Sequence, residues 1–236
     1  SVDLVLPPYF GLGGMSALAG LIEKQPTSEL KQGVLKAALP VMFDDECLAT
    51  FQVGIFETVP FVQDFKLPIS QAIEAGAAGM YYAAVSTLLP VLEGVILKAA
   101  TAQGSPISAG NSKQLIGALE QMLAKENASM HRYFERVVML ESLRDFFQER
   151  LLVYTGSYSG LDQLNRHGIL HGLYEGYGAD TNFFRLIALL SLICFALRLS
   201  YGGSMFAPAN TPESIAFADY LARIRFLAKS RPSGRY

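Results

Sequence analysis

The sequence predicts an all-α protein, and three observations support this prediction. Apolar residues recur three and four positions apart through most of the chain, which is the period of an amphipathic helix, and little of it alternates as strands do. Hydrophobic residues make up 51% and charged residues 17% of the 236 residues, which indicates a folded chain with a large core. Prolines and Gly-Ser-Pro stretches separate the periodic segments.

Helix breaks are predicted at prolines, because proline lacks an amide hydrogen and restricts the residue before it. These breaks fall at Pro26, Pro40, Pro60 and Pro68. The helices predicted in the first half of the chain cover 12–25, 28–41, 44–58, 69–77 and 79–103. The last of these contains Pro90. The segment 51–62 is rich in Phe, Val and Ile, so a short strand is the alternative there.

The second half of the chain has the same helical period. A Gly-Ser-Pro loop at 103–112 and a second loop at 154–160 divide it. The predicted helices cover 112–126, 128–151, 161–173, 182–201 and 212–229. Asp180 and Thr181 are candidate N-caps of the fourth, and the last is entered through 211-TPES-214.

These elements group into three predicted segments. Residues 1–68 form a helical N-terminal region of unassigned role, 69–202 a helical bundle, and 203–236 a C-terminal helix with a basic tail. The formal net charge of −2 provides no overall basic field, so any nucleic-acid contact has to come from a local patch.

The apolar segments, the N-terminus and the cysteines predict where the protein is located. The run 183–199 has only about a dozen apolar residues between its arginines, fewer than the roughly 20 that cross a bilayer, so we expect a buried core helix and no membrane association. The N-terminus lacks the basic start of a signal peptide. Cys47 and Cys194 lie far apart in apolar surroundings, which favours reduced thiols and a cytoplasmic protein.

The candidate site is the stretch 164-LNRHGILHGL-173, which holds two of the chain's three histidines. On an ideal helix Arg166 and His171 lie about 140° apart and His167 and His171 about 40° apart. Arginine matches phosphate geometrically, and histidine donates or accepts protons near neutral pH. Together they suit phosphodiester chemistry.

Two other functional interpretations, one of this stretch and one of residues 9–14, are weaker. His167, His171 and Glu175 follow the i, i+4, i+8 spacing of ligands on one helical face, but the glycines at 172 and 176 end the helix and no further ligand cluster occurs, so no metal is predicted. The stretch 9-YFGLGG-14 lacks the spacing of a nucleotide-binding loop, and no cofactor is predicted.

The residues 165-NRHGILHG-172, followed by Tyr177-Gly178 and Asn182, resemble the Arg-polar-x3-His motif of the HEPN superfamily. More narrowly, they resemble bacterial proteins with an NRHxxxHG segment. The helix 81–98, with its Leu-Pro-x-x-Glu-Gly signature ending at Glu93 and Gly94, resembles the helix that these proteins place upstream.

This resemblance implies a HEPN-like helical bundle, commonly a homodimer, in which two copies of the motif meet in a cleft. Active members are metal-independent endoribonucleases of toxin–antitoxin, phage-defence and RNA-processing systems, so RNA and an antitoxin or regulatory protein are the implied partners. Arg166 would hold the scissile phosphate, and His171 would act as general acid or base. His167 would orient the phosphate or its partner, and Asn165 would make a local hydrogen bond or start the helix.

Many members of the superfamily lack activity, so a catalytically silent module that binds RNA, nucleotide or protein is the alternative, and a purely structural domain is a third. Glu93 is expected to pair with an arginine such as Arg166, either as a structural ion pair or as a contact that orients the site. His131 lies beside two arginines, most simply on a solvated helix face. The candidate contacts to the RNA backbone are the basic residues near the C-terminus, Arg223, Arg225, Lys229, Arg231 and Arg235.

Overall fold

The fold is given by a computed structural model that describes residues 4–6, 9–104, 112–129, 134–201 and 206–230. These residues form ten α-helices and no strand, which confirms the all-α prediction. In chain order the helices are α1 (Leu12–Glu23), α2 (Ser28–Met42), α3 (Asp45–Phe51), α4 (Lys66–Ala77), α5 (Tyr81–Ala102), α6 (Ser112–Asn127), α7 (Phe134–Phe146), α8 (Arg166–Leu170), α9 (Asp180–Ser200) and α10 (Pro212–Lys229).

The helix α9 lies at the centre of the bundle. It buries 18 of its 21 residues and packs against α2, α5 and α7. The helix α5 lies beside it, with α4 and α6 on its other sides, and α10 packs across α3 and α4. Because α9 contacts neighbours on all sides, its apolar residues occur around the whole helix and not along one stripe.

Two helices, α5 and α9, are long and apolar enough to cross a membrane by length and composition. Within their most apolar 18-residue windows, 61% of α5 and 83% of α9 are buried inside the bundle. The two helices also pack against each other. The expected buried core helix at 183–199 is therefore confirmed.

Several predicted boundaries change in the structure. The helix expected at 44–58 ends as α3 at Phe51 and continues as a π-helical turn over Gln52–Phe56, so the strand alternative for 51–62 is wrong. A second π-helical turn, Phe147–Leu151, follows α7. The helix expected at 161–173 shortens to the five residues of α8. The predicted loop residues 105–111 lie outside the described residues.

Two of the four predicted proline breaks are wrong. Pro40 lies inside α2, where only Val41 and Met42 follow it. Pro68 is the third residue of α4, a position whose amide needs no partner within the helix. Proline is tolerated in the first turn of a helix, whereas Pro40 removes one hydrogen bond, to the carbonyl of Lys36, in the last turn of α2.

The segment boundary predicted near residue 68 lies inside α4. Buried side chains from Leu35 on α2 to Leu221 on α10 belong to one hydrophobic cluster. The N-terminal and C-terminal helices therefore contribute to the same core as the central bundle.

Candidate active site

The N-cap residue of α8 is Asn165, which is fully buried. The Oδ1 atom of Asn165 accepts a hydrogen bond from the Gly168 amide at 2.9 Å, which caps the helix. Its Nδ2 atom donates to the carbonyl oxygens of Val153 at 2.8 Å and Arg150 at 3.3 Å. Asn165 thus makes the local hydrogen bond and helix start expected of it, and it also fixes α8 to the end of the preceding π-helical turn.

Arg166, the first residue of α8, pairs with Glu93 on α5. Its Nε atom contacts Oε1 and its Nη2 atom donates to Oε2 at 3.1 Å. Only 16% of the arginine side chain and 9% of the glutamate side chain are exposed. This two-pronged geometry is the strongest form of an arginine–carboxylate contact, so the pair holds α8 against α5 and fixes the plane of the guanidinium.

The pair leaves part of the guanidinium for a ligand. Nε and Nη2 face Glu93, and among the described residues no other hydrogen bond to Arg166 is found. The two N–H groups of Nη1 therefore remain available as donors to a phosphoryl oxygen.

His167 and His171 lie together, as their spacing predicted. Both side chains are exposed, their ring centres are 4.2 Å apart, and the ring planes meet at 53°. His171 is the C-cap residue of α8. An exposed pair of imidazoles can supply both a general base and a general acid from one chain.

The chain reverses direction directly after the histidines. Gly172 has φ of +66°, a conformation that favours glycine, and the amide of Leu173 donates to the carbonyl of Gly168 at 2.8 Å. The ring of Tyr174 then packs on Gly168, where an added Cβ would lie 2.4 Å from the ring. Gly168 thus permits close approach of a tyrosine ring from its own segment.

The reversal also ends the helical face on which the i, i+4, i+8 spacing would place Glu175. Its carbonyl oxygen accepts a hydrogen bond from the Tyr82 hydroxyl at 2.7 Å. In the part of the chain that the structure describes, no three His, Cys, Asp or Glu side chains are grouped as metal ligands. Glu175 therefore does not share a helical face with the two histidines.

Asn182, a residue to which the sequence assigned no role, joins the two ends of the segment 162–177 that contains α8. Asn182 is fully buried, and its Nδ2 atom donates to the carbonyl of Asp162 at 2.7 Å and to that of Tyr177 at 3.0 Å. One amide thus joins both ends of the segment 162–177. Its place after the Tyr-Gly pair, in the first turn of a long apolar helix, is the signal that could have identified it.

Arg185, one turn further along α9, also holds the start of this segment through Asp162. Its side chain is 2% exposed and pairs through Nη1 with Asp162, while Nη2 donates to Oε1 of Gln32 at 2.8 Å. Burial by itself would raise the pKa of the Asp162 carboxyl. The charge of Arg185, together with hydrogen bonds from Tyr158 and the Leu164 amide, outweighs that effect and holds the pKa below its ordinary value. An arginine inside an apolar run was the available sequence signal.

The basic residues near the C-terminus differ in their surroundings. The Arg225 guanidinium is held by the carboxylate of Asp45, with contacts of 2.7 and 3.1 Å, so it joins α10 to α3 and is not free to contact RNA as predicted. Arg223 and Lys229 are exposed. The remaining predicted residues Arg231, Arg235 and His131 lie outside the described residues.

The two cysteines are poor nucleophiles. Burial, followed by the nearby carboxylates of Asp44 and Glu46, raises the pKa of Cys47 to about 12. Burial also raises the pKa of Cys194, which is fully enclosed in α9. Because the thiolate is the reactive form, neither residue is a candidate for covalent catalysis.

No protein-family model, curated protein or solved structure matches the chain. The chemistry of α8 therefore has to follow from its own residues.

Proposed function

We propose that the chain is a metal-independent endoribonuclease that works at Arg166, His167 and His171. The observation that carries the proposal is the exposed pair of imidazoles with ring centres 4.2 Å apart, beside an arginine of fixed orientation. The short helix that bears these residues is held at its start by Asn165 and at its base by Asn182. A site fixed in this way can place catalytic groups without reorganisation.

The reaction that suits these groups is cleavage by the RNA's own 2′-hydroxyl. One imidazole removes the hydroxyl proton, and the oxygen attacks the adjacent phosphorus. The other imidazole donates a proton to the departing 5′-oxygen, which leaves a 2′,3′-cyclic phosphate and a 5′-hydroxyl. The Nη1 donors of Arg166 stabilise the added charge on the phosphoryl oxygens. Positioned acid and base groups of this kind contribute about 10²–10⁴-fold in rate.

The wider setting of this activity rests on the HEPN-like resemblance. It implies a homodimer in which two α8 segments line one cleft, and the separated, apolar cysteines favour a cytoplasmic location. It also implies a toxin or phage-defence role under the control of an antitoxin or regulatory protein. Because a symmetric dimer repeats the same surface on both subunits, each cleft would contain two copies of the imidazole pair.

A catalytically silent HEPN-like module that binds RNA, nucleotide or a protein partner is the second candidate. The Arg166–Glu93 pair favours it, because the carboxylate neutralises the guanidinium and occupies the edge that best matches a phosphate. This function requires binding through α8 without turnover.

One experiment separates the two candidates. Purified protein is incubated with mixed RNA in excess EDTA, and the ends of the fragments are analysed. The nuclease proposal predicts 2′,3′-cyclic phosphate ends and at least a hundredfold slower cleavage by His171→Ala, with Glu175→Gln on the same segment as the matched control at wild-type rate. Absence of cleavage by wild type, or equal cleavage by His171→Ala, rejects the nuclease. RNA affinity that depends on Arg166 and falls with salt, without cleavage, would then indicate the binding module.

A further inference from the structure

The two imidazoles of α8 have a geometry that also suits a metal ion. We infer that His167 and His171 form a two-nitrogen site for one Cu(II) or Ni(II) ion. Histidines at i and i+4 on a helix present their rings to one side, which is the spacing that zinc enzymes use for two of their ligands. Imidazole is a preferred ligand of Zn(II), Cu(II) and Ni(II).

The separation of the rings can be compared with that of two imidazoles bound to one ion. With a metal–nitrogen bond of about 2.0 Å, the centre of a bound imidazole lies about 3.2 Å from the ion. Two imidazoles at the right angle of a square-planar or octahedral complex then have centres about 4.5 Å apart, and two at a tetrahedral angle about 5.2 Å apart. The observed 4.2 Å is close to the first value. The pair is therefore close enough to bind one ion at adjacent positions, and of the divalent ions that imidazole prefers Cu(II) binds most tightly.

The backbone around the pair is fixed before any ion binds. Asn165 caps α8 and ties its start to the end of the π-helical turn, and the Tyr174 ring packs on Gly168 between the two histidines. A site held in this way loses little freedom on binding. Both rings are exposed, and no third protein ligand is grouped with them among the described residues, so water completes the coordination sphere.

This site has a consequence for the chemistry of α8 that rests on the proposed ribonuclease function. The nitrogens that would bind the ion are the ones that would exchange protons with RNA. A bound Cu(II) or Ni(II) ion therefore inhibits cleavage, and EDTA restores it. Metal ions would regulate the site without taking part in its reaction.

The test is a calorimetric titration of the metal-free, tag-free full chain with Ni(II), and with Cu(II) followed by electron paramagnetic resonance. We expect one ion per chain and a Cu(II) spectrum with nitrogen coupling. His167→Asn and His171→Asn should each weaken binding at least tenfold, and the double variant should abolish it. His131→Asn, which removes the third histidine, is the matched control and should bind as wild type does.

Three outcomes overturn the inference: no binding by wild type, binding that survives the double substitution, or binding that His131→Asn abolishes. Tighter binding of Zn(II) than of Cu(II) contradicts the choice of ion. The titration does not depend on RNA cleavage. A chain that binds the ion and cuts no RNA therefore fails only the proposed function, whereas a chain that cuts RNA and binds no ion fails only this inference.

Discussion

Replacing Arg166 by methionine removes one partner of a nearly buried ion pair. The carboxylate of Glu93, whose side chain is 9% exposed, then lies between α5 and α8 with no guanidinium opposite it. Removing one member of a buried pair costs about 3–5 kcal/mol, because the remaining charge is uncompensated. The arginine side chain retains 16% exposure, so water can partly reach the vacated position and the lower end of that range, about 3 kcal/mol, is expected.

This loss should be visible in both chemical and thermal unfolding. For a chain of this size 1 kcal/mol corresponds to about 2–4 °C in the melting temperature, so Arg166→Met should melt about 6–12 °C below wild type. Urea titration followed by circular dichroism measures the free energy of unfolding independently. An unchanged slope with a lower midpoint would show that the substitution altered stability and not the extent of unfolding.

Two further variants isolate the pair itself. The double variant Glu93→Leu/Arg166→Met replaces both charges by apolar side chains and should recover most of the loss. Asp64→Asn breaks the pair between Asp64 and Lys98 of α5, where both side chains are nearly half exposed, and should cost no more than about 1 kcal/mol. The reasoning is refuted if Arg166→Met lies within about 0.5 kcal/mol of wild type, since the arginine would then be held for something other than folding.

Asn182→Ala removes the hydrogen bonds to the carbonyls of Asp162 and Tyr177 and should cost about 2–3 kcal/mol of stability. Proteases should cut segment 162–177 of the variant before the rest of the chain unfolds. Equal resistance of variant and wild type to cleavage would show that Asn182 does not hold the two ends of the segment together. Because the folded pKa of Asp162 is depressed, its contribution to stability is present above the unfolded value of about 3.9 and lost as pH falls through the folded value. The free energy of unfolding of wild type should therefore fall below about pH 4, and Asp162→Asn should reduce this fall. Parallel plots of the free energy of unfolding against pH for the two proteins would contradict this. The native Cys47 thiol, with a pKa near 12, should react with a thiol reagent at pH 8 about a thousandfold more slowly than a free cysteine, and rapid labelling of the folded chain would show that it is not shielded.

The helices were predictable because their signals are local. The recurrence of apolar residues identified all ten helices, and the burial of 183–199 followed from its lack of a polar face. The pairing of Glu93 with an arginine was also predictable, since a carboxylate in an apolar helix needs a partner. These features depend on residue type and spacing within one segment.

Other features depend on contacts between distant parts of the chain. The late start of α8 follows from the cap that Asn165 forms while it is bonded to the carbonyls of Arg150 and Val153, contacts that no helical period reveals. The role of Asn182 requires that residues 162 and 177 meet at its side chain. The ion pair of Arg225 with Asp45 joins residues 180 positions apart, so one member of the predicted basic cluster is part of the packing.

The most direct test of the proposed activity is the single-turnover rate of RNA cleavage in excess EDTA, measured for wild type, His167→Gln and His171→Gln. Both substitutions leave α8 capped by Asn165 and paired through Arg166, so stability should stay within about 0.5 kcal/mol of wild type. We predict that each lowers the rate at least a hundredfold, as the loss of a positioned acid or base requires. Cleavage by both variants at the wild-type rate would contradict the assignment of acid–base chemistry to this pair.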